Sequence, residues 1–169
     1  MKRIIVTFFI LIFSILSAAD ANWWDGGSGS TYYEEGDAWK ESEISIPDYP
    51  QEDNLLEFQV DNPSSSHRYF LDTNSLSIAD DYVIRYSAVI KTRSGSTNVF
   101  YDGMRCQTME YKNYAFGING SFTENDGAHW EPVRSYDFFR KALLRGIVCE
   151  QGNRPRPVDA VIDKIKYNR

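Results

Sequence analysis

Reactive side chains are scarce in this sequence. Among 169 residues there are two histidines, His67 and His129, and two cysteines, Cys106 and Cys149. A zinc centre needs three or four nitrogen or sulfur ligands at characteristic spacing, and no such signature is present. There is also no nucleophile elbow, no phosphate-cradling glycine loop and no calcium loop of the EF-hand kind. No residue reads as catalytic, cofactor-binding or metal-ligating, and the expectation is a protein that is not an enzyme. Positive charge is the other shortage, with 18 bases against 24 acids. That balance argues against nucleic acid or an anionic membrane as a bulk partner.

Long apolar runs are missing except at the start. Residues 4–16 are apolar apart from Thr7 and Ser14, Lys2 and Arg3 precede them, and Ala19 and Ala21 place small residues where a signal peptidase reads. The run is too short for a bilayer core of roughly 30 Å, so residues 1–21 read as a cleaved signal peptide. No cysteine follows for lipid attachment, and no membrane span is expected after cleavage. Without Lys2, Arg3 and Asp20, 16 bases face 23 acids, a mature net charge of −7. The charge is uneven: residues 22–54 hold nine acids and Lys40 alone, whereas residues 134–169 hold nine bases and four acids. Export favours oxidised thiols, and a redox pair would be closely spaced, so Cys106 and Cys149 are expected to form a structural disulfide.

Domain organisation follows from composition. Residues 22–50 are rich in Gly, Ser and acids, and Pro47 and Pro50 stand near their end. They read as a flexible leader, with the region of Trp39 packing on the domain; a docking segment for a partner is the other reading. Residues 51–150 are expected to form an α+β domain. Its centre is the stretch 82–106, where Tyr82, Ile84, Tyr86, Ala88 and Ile90 alternate with a mixed face. Ser94, Gly95 and Ser96 supply a turn, and Thr97 to Tyr101 return antiparallel. Short strands are expected at 55–61, 68–72, 75–78, 109–117 and 121–123, with another starting near Trp130 and a turn at Asn119 and Gly120. A bulge or bend is expected at Asp102 and Gly103. From Ser135, read as an N-cap, apolar residues recur at helical spacing through Val148, with Arg140, Lys141 and Arg145 on the other side. The tail, 151–169, is basic and should hold a short helix from Val158. The architecture expected is an antiparallel meander of about five or six strands covered by a C-terminal helix.

Small motifs add little chemistry. His67 follows three serines, but adjacency in sequence is not triad geometry, and the segment reads as a polar loop. His129 reads as a surface side chain. The pairs Asp80 with Asp81 and Glu34 with Glu35 read as solvated. Aromatic content is the unusual feature: an outward row of Tyr and Trp would suit a binding surface, and the plainer reading is cross-strand packing.

The ordered motifs resemble the family of exported bacterial proteins named after cryptic neisserial protein one. They are Trp39 with Glu41; Pro47 and Pro50; Asn54 and Leu55 with Phe58 and Val60; RYFLD at 68–72 and Ser75-Leu76-Ser77; Val83 with Arg85 and Tyr86; and Ser94-Gly95. Asn98-Val99, the run 101–106, Glu110 with Lys112, the run 114–117, Trp130 and Cys149 follow. The resemblance covers roughly 37–150 and supplies no catalytic residues. Asp81-Tyr82 stands where that family usually has an Asp-Gly turn. In layout the chain is more distantly similar to surface-adhesin protein E. The resemblance implies an exported, periplasmic, envelope-associated or binding protein with an unknown protein or envelope component as partner. A surface adhesin, an inhibitor of a cell-wall enzyme and an unrecognised hydrolase are the alternatives; oligomeric state is not legible.

The signal-peptide reading has a direct check. Protein recovered from the exported fraction should begin at Asn22 by intact-mass analysis, and an N-terminus at Met1 would refute cleavage.

Overall fold

The computed structural model describes residues 38–62, 65–151 and 153–167. The expected signal peptide and residues 22–37 of the expected leader lie outside these. Among the described residues, eight antiparallel strands form one sheet: β1 (Leu55–Phe58), β2 (Arg68–Asp72), β3 (Ser77–Ile78), β4 (Val83–Lys91), β5 (Thr97–Arg105), β6 (Glu110–Ile118), β7 (Ser121–Glu124) and β8 (Glu131–Pro132). The path runs β1-β2-β4-β5-β6-β7, with β3 paired to β4 and β8 paired to β6. The α+β architecture expected from the sequence is present. Turn chemistry sets the register. Gly95 (φ 92°) closes β4 onto β5, and Asn119 and Gly120 take φ of 52° and 82°, the left-handed pair that suits a two-residue hairpin.

The period of two divides the sheet into two buried faces. Ile84, Tyr86, Ala88 and Met104 join Leu71, Phe139, Leu143 and Val161 in the larger core. On the opposite face, which the sequence suggested was mixed, Val83, Arg85, Ser87 and Val89 are also buried. The reason is residues 39–50, the part of the expected leader that includes the region of Trp39 expected to pack on the domain. Ile44 and Ile46 pack on Tyr101, Tyr114 and Ala115, and Tyr49 packs on the cluster of Phe70, Val89 and Val99. The compact unit begins at Trp39. Gly117 makes this possible, since a Cβ there would stand 2.5 Å from Val99 Cβ and 2.8 Å from the Tyr49 ring.

The expected bulge lies where β5 meets β6, but the extra residue is on β6. Tyr101 pairs with Ala115 and Asp102 with Asn113, leaving Tyr114 unpaired. A bulge bends its strand and re-aims a side chain. Gly103 provides the room: a Cβ there would lie 2.5 Å from the Tyr114 hydroxyl oxygen.

The C-terminal helix differs from the sequence expectation. Its N-cap is Asp137, not Ser135, with the carboxylate accepting from Arg140 N at 3.0 Å. Helix α1 covers Phe138–Ala142 and continues as a π-helical turn, Leu143–Ile147, closed by Val148 N donating to Leu143 O. Arg140 does not lie on the solvent side. Its Nε donates to Asp102 Oδ2 at 2.9 Å, because Asp102 is fully buried in β5 and needs a cation. Helix α2 (Val158–Tyr167) forms as expected, buries Val161 and Ile165, and lies against β1. Arg156 caps the preceding turn, donating from Nε to Ile147 O.

Cys106 and Cys149 are disulfide-bonded, with their Cα atoms 5.6 Å apart. The bond ties the end of β5 to the end of the π-helical turn. Replacing both by alanine removes roughly 4 kcal/mol on the chain-entropy account, out of about 5–15 kcal/mol for a domain. The denaturant midpoint should fall by a large fraction, and reductant should do the same to the wild type. A double variant as stable as the wild type would contradict the constraint.

Candidate ligand cleft

The turn before β4 sets up the site. Tyr82 N donates to Ala79 O, and the chain then enters β4 at Val83. The Asp81 side chain is wholly buried and is not the solvated acid the sequence suggested. Its Oδ1 accepts from Val83 N at 3.1 Å and Arg85 Nη1 at 3.2 Å. Its Oδ2 accepts from Arg85 Nη2 at 2.6 Å and Ser42 N at 2.8 Å. Burial alone would raise this carboxyl, but the guanidinium and the two amide donors outweigh it and hold it below the ordinary aspartate value. Ser42 belongs to the N-terminal segment, so this carboxylate fastens that segment to the sheet. A second tie lies alongside, where Glu41 accepts from Lys112 Nζ at 2.8 Å and from the Tyr114 hydroxyl at 2.7 Å. Burial, and then the Glu41 carboxylate, push the Tyr114 hydroxyl far above its usual range.

The Asp81 carbonyl fixes an aromatic wall. It accepts from Trp39 Nε1 at 3.0 Å. The guanidinium carbon of Arg105 lies 3.7 Å from the Trp39 ring centroid and 5.5 Å from that of Trp130. The two indoles meet edge to face, with centroids 5.8 Å apart. Arg105 Nη1 donates to Glu110 Oε2 at 3.1 Å, and its other guanidinium donors meet no described acceptor. Such a guanidinium is held in one orientation before anything binds.

Trp39, Tyr82, Arg105, Gln107 and Arg154 surround an open cleft of about 470 Å³ beside the disulfide. Arg154 is exposed and forms no ion pair with a described residue. It is placed by its own backbone, whose carbonyl accepts from Glu150 N, and by the bridge between Cys149 and Pro155. Tyr82 lines the cleft, 71 % exposed, with φ of 57°. A left-handed backbone costs a residue with a Cβ roughly 1–2 kcal/mol.

The structure brings together Cys106 and Cys149 but not the histidines. His67 is in an exposed loop, its N–H bonded to Ser65 Oγ, and His129 is exposed beside Gly127 O and Glu131. Glu34 and Glu35 lie outside the described residues. Among the described residues no three His, Cys, Asp or Glu side chains gather as a metal centre would require. No described helix is long and apolar enough to cross a membrane. Of the strand aromatics, Phe70, Tyr86, Tyr101 and Tyr114 are buried, while Phe116 is exposed and pairs across strands with Phe100. Sequence reasoning missed the cleft, whose walls come from four separate segments. Its one local signal was a bulky residue, Tyr82, where a turn favours glycine.

Residues 34–166 match the CNP1-like family, and the chain belongs to it. The match reaches past residue 150 and takes in α2. No curated protein and no solved structure matches the chain.

Asp81→Asn leaves a buried guanidinium without its counter-charge and should cost about 3 kcal/mol at pH 7. The wild-type carboxyl is depressed on folding. Its contribution is therefore fully present above the ordinary value of 3.8 and is lost as pH falls through the lower folded value. Denaturation at pH 7 and in stronger acid should show the gap narrowing as the wild type protonates. A gap independent of pH would contradict this role for the charge.

Proposed function

We propose that this CNP1-like chain is an exported, non-enzymatic binding protein of the periplasm of a Gram-negative bacterium, and that it binds its ligand in the cleft beside Trp39 and Arg105. The cleft itself carries the reading: a cationic, aromatic-walled concavity in a chain whose net charge is −6. Ligand sites are concave and use a few polar groups held in advance of binding, and Trp, Tyr and Arg dominate binding energetics. The groups here suit holding more than chemistry. Asp81 is saturated by four donors, which leaves it no role as a base, and Arg105 is a guanidinium that does not give up its proton. The apolar N-terminal run and the disulfide support export to an oxidising compartment.

Two measurements test this. Fractionation of expressing cells should recover the mature chain with periplasmic markers. Isotope-labelled protein mixed with a low-molecular-weight envelope extract should show shifts at the Trp39 indole N–H and at Arg105. Recovery with the cytoplasm, or shifts confined to residues far from the cleft, would refute the proposal.

A further inference from the structure

The cleft's chemistry narrows its ligand, an inference that rests on the binding role just proposed. We infer that the cleft takes a small carboxylate bearing a flat apolar group, with the carboxylate on Arg105 and Arg154 and the flat group against Tyr82 and Trp39.

Arg105 supplies the first part. Trp39 covers one side of its guanidinium and Glu110 takes Nη1, so the remaining N–H donors are fixed in plane. A planar fork matches a carboxylate. Arg154, exposed and without an ion-pair partner among the described residues, lines the same cleft and is a second cationic side chain there. The site has no lysine among its lining residues, and Glu110 already offsets part of the charge of Arg105, while Asp81 is matched to Arg85. That balance fits a monoanion better than a phosphate dianion.

Tyr82 supplies the second part. It occupies a backbone conformation that glycine adopts without cost. Its ring stacks on no described aromatic side chain, and its hydroxyl makes no hydrogen bond with a described residue. At 71 % exposure the side chain gains little from burial. Folding alone therefore does not account for an aromatic residue here. Residues held in such conformations cluster at ligand clamps, and this one lines the same cleft as Trp39. The ring is placed to cover a flat group whose carboxylate has reached the arginines.

The test uses the mature chain and three probes: phenylacetate, its neutral near-isostere phenylacetamide, and acetate, which lacks the ring. Two-dimensional NMR should show saturable shifts at the Trp39 indole for phenylacetate, with a Kd of about 5 mM for a ligand of this size. Phenylacetamide and acetate should each bind at least roughly tenfold more weakly, the loss expected when one of two recognised groups is absent. Tyr82→Gly should raise Tm by about 3 °C and weaken phenylacetate by about fivefold or more, whereas Tyr82→Phe should retain binding. Arg105→Lys should weaken phenylacetate but not phenylacetamide. Equal binding of the amide, or full affinity in Tyr82→Gly, overturns the inference. If envelope extract shifts cleft residues and phenylacetate does not, the ligand class is wrong and the binding role stands. If neither shifts them, both fall.

Discussion

The Asp81 carboxylate accepts four hydrogen bonds, two from Arg85 and one each from the amides of Val83 and Ser42. Taking a carboxylate out of water is costly unless its lone pairs are met, and here they are met from two parts of the chain. Val83 and Arg85 open β4. Ser42 lies in the segment that crosses the opposite face of the sheet. The carboxylate thus sets where that segment begins to pack, and the Asp81 carbonyl then orients Trp39. Ile44, Ile46 and Tyr49 follow in register and bury the face that holds Tyr101, Tyr114 and Val99. An apolar pair of the same volume could stabilise the turn as well. It would keep the backbone carbonyl that Trp39 bonds but lose the acceptor for the Ser42 amide, so the charge serves the cleft by fastening the segment three residues from Trp39.

The other face has its own buried carboxylate with the opposite behaviour. Asp102 accepts from Arg140 Nε and from Asn113 Nδ2, two donors where Asp81 has four. Burial therefore prevails, and its carboxyl is raised above the ordinary range despite the arginine. The Arg140 guanidinium also lies 3.9 Å from the Tyr111 ring centroid, and burial with Asp102 close by pushes the Tyr86 hydroxyl well up. Asp102 orients α1 on the sheet, and the disulfide fixes the far end of the same helical segment. The sheet thus carries a buried carboxylate on each face, and each accepts a hydrogen bond from the segment that covers that face.

What the sequence made legible was local. Gly95 and the pair Asn119 and Gly120 marked hairpins because positive φ favours those residues. The spacing of Val158, Val161, Ile162 and Ile165 marked α2, and two cysteines in an exported chain marked the disulfide. What stayed hidden was set by distant contacts. Ile44 and Ile46 are two apolar residues among acids and prolines, too few for a period to show. Asp81 beside Asp80 looks solvated until Arg85 and Ser42 are placed around it. Arg140 falls on the polar stripe of an ideal helix, and only the buried Asp102 explains why it turns inward. Gly103 pointed to a bulge, but which strand holds the extra residue depends on pairing with Tyr114. The cleft was the least legible feature, since Trp39, Tyr82, Arg105 and Arg154 share no spacing.

Asp81 makes the segment from Trp39 onward part of the domain and so builds one wall of the cleft. Native-state hydrogen exchange tests it most directly, because an amide bonded to a buried carboxylate exchanges only when that bond opens. The account predicts that the Ser42 amide and the Trp39 indole N–H are protected together with the Val83 amide. Exchange of Ser42 and Trp39 at the rate of an unstructured peptide, while the amides of β4 stay protected, would contradict it.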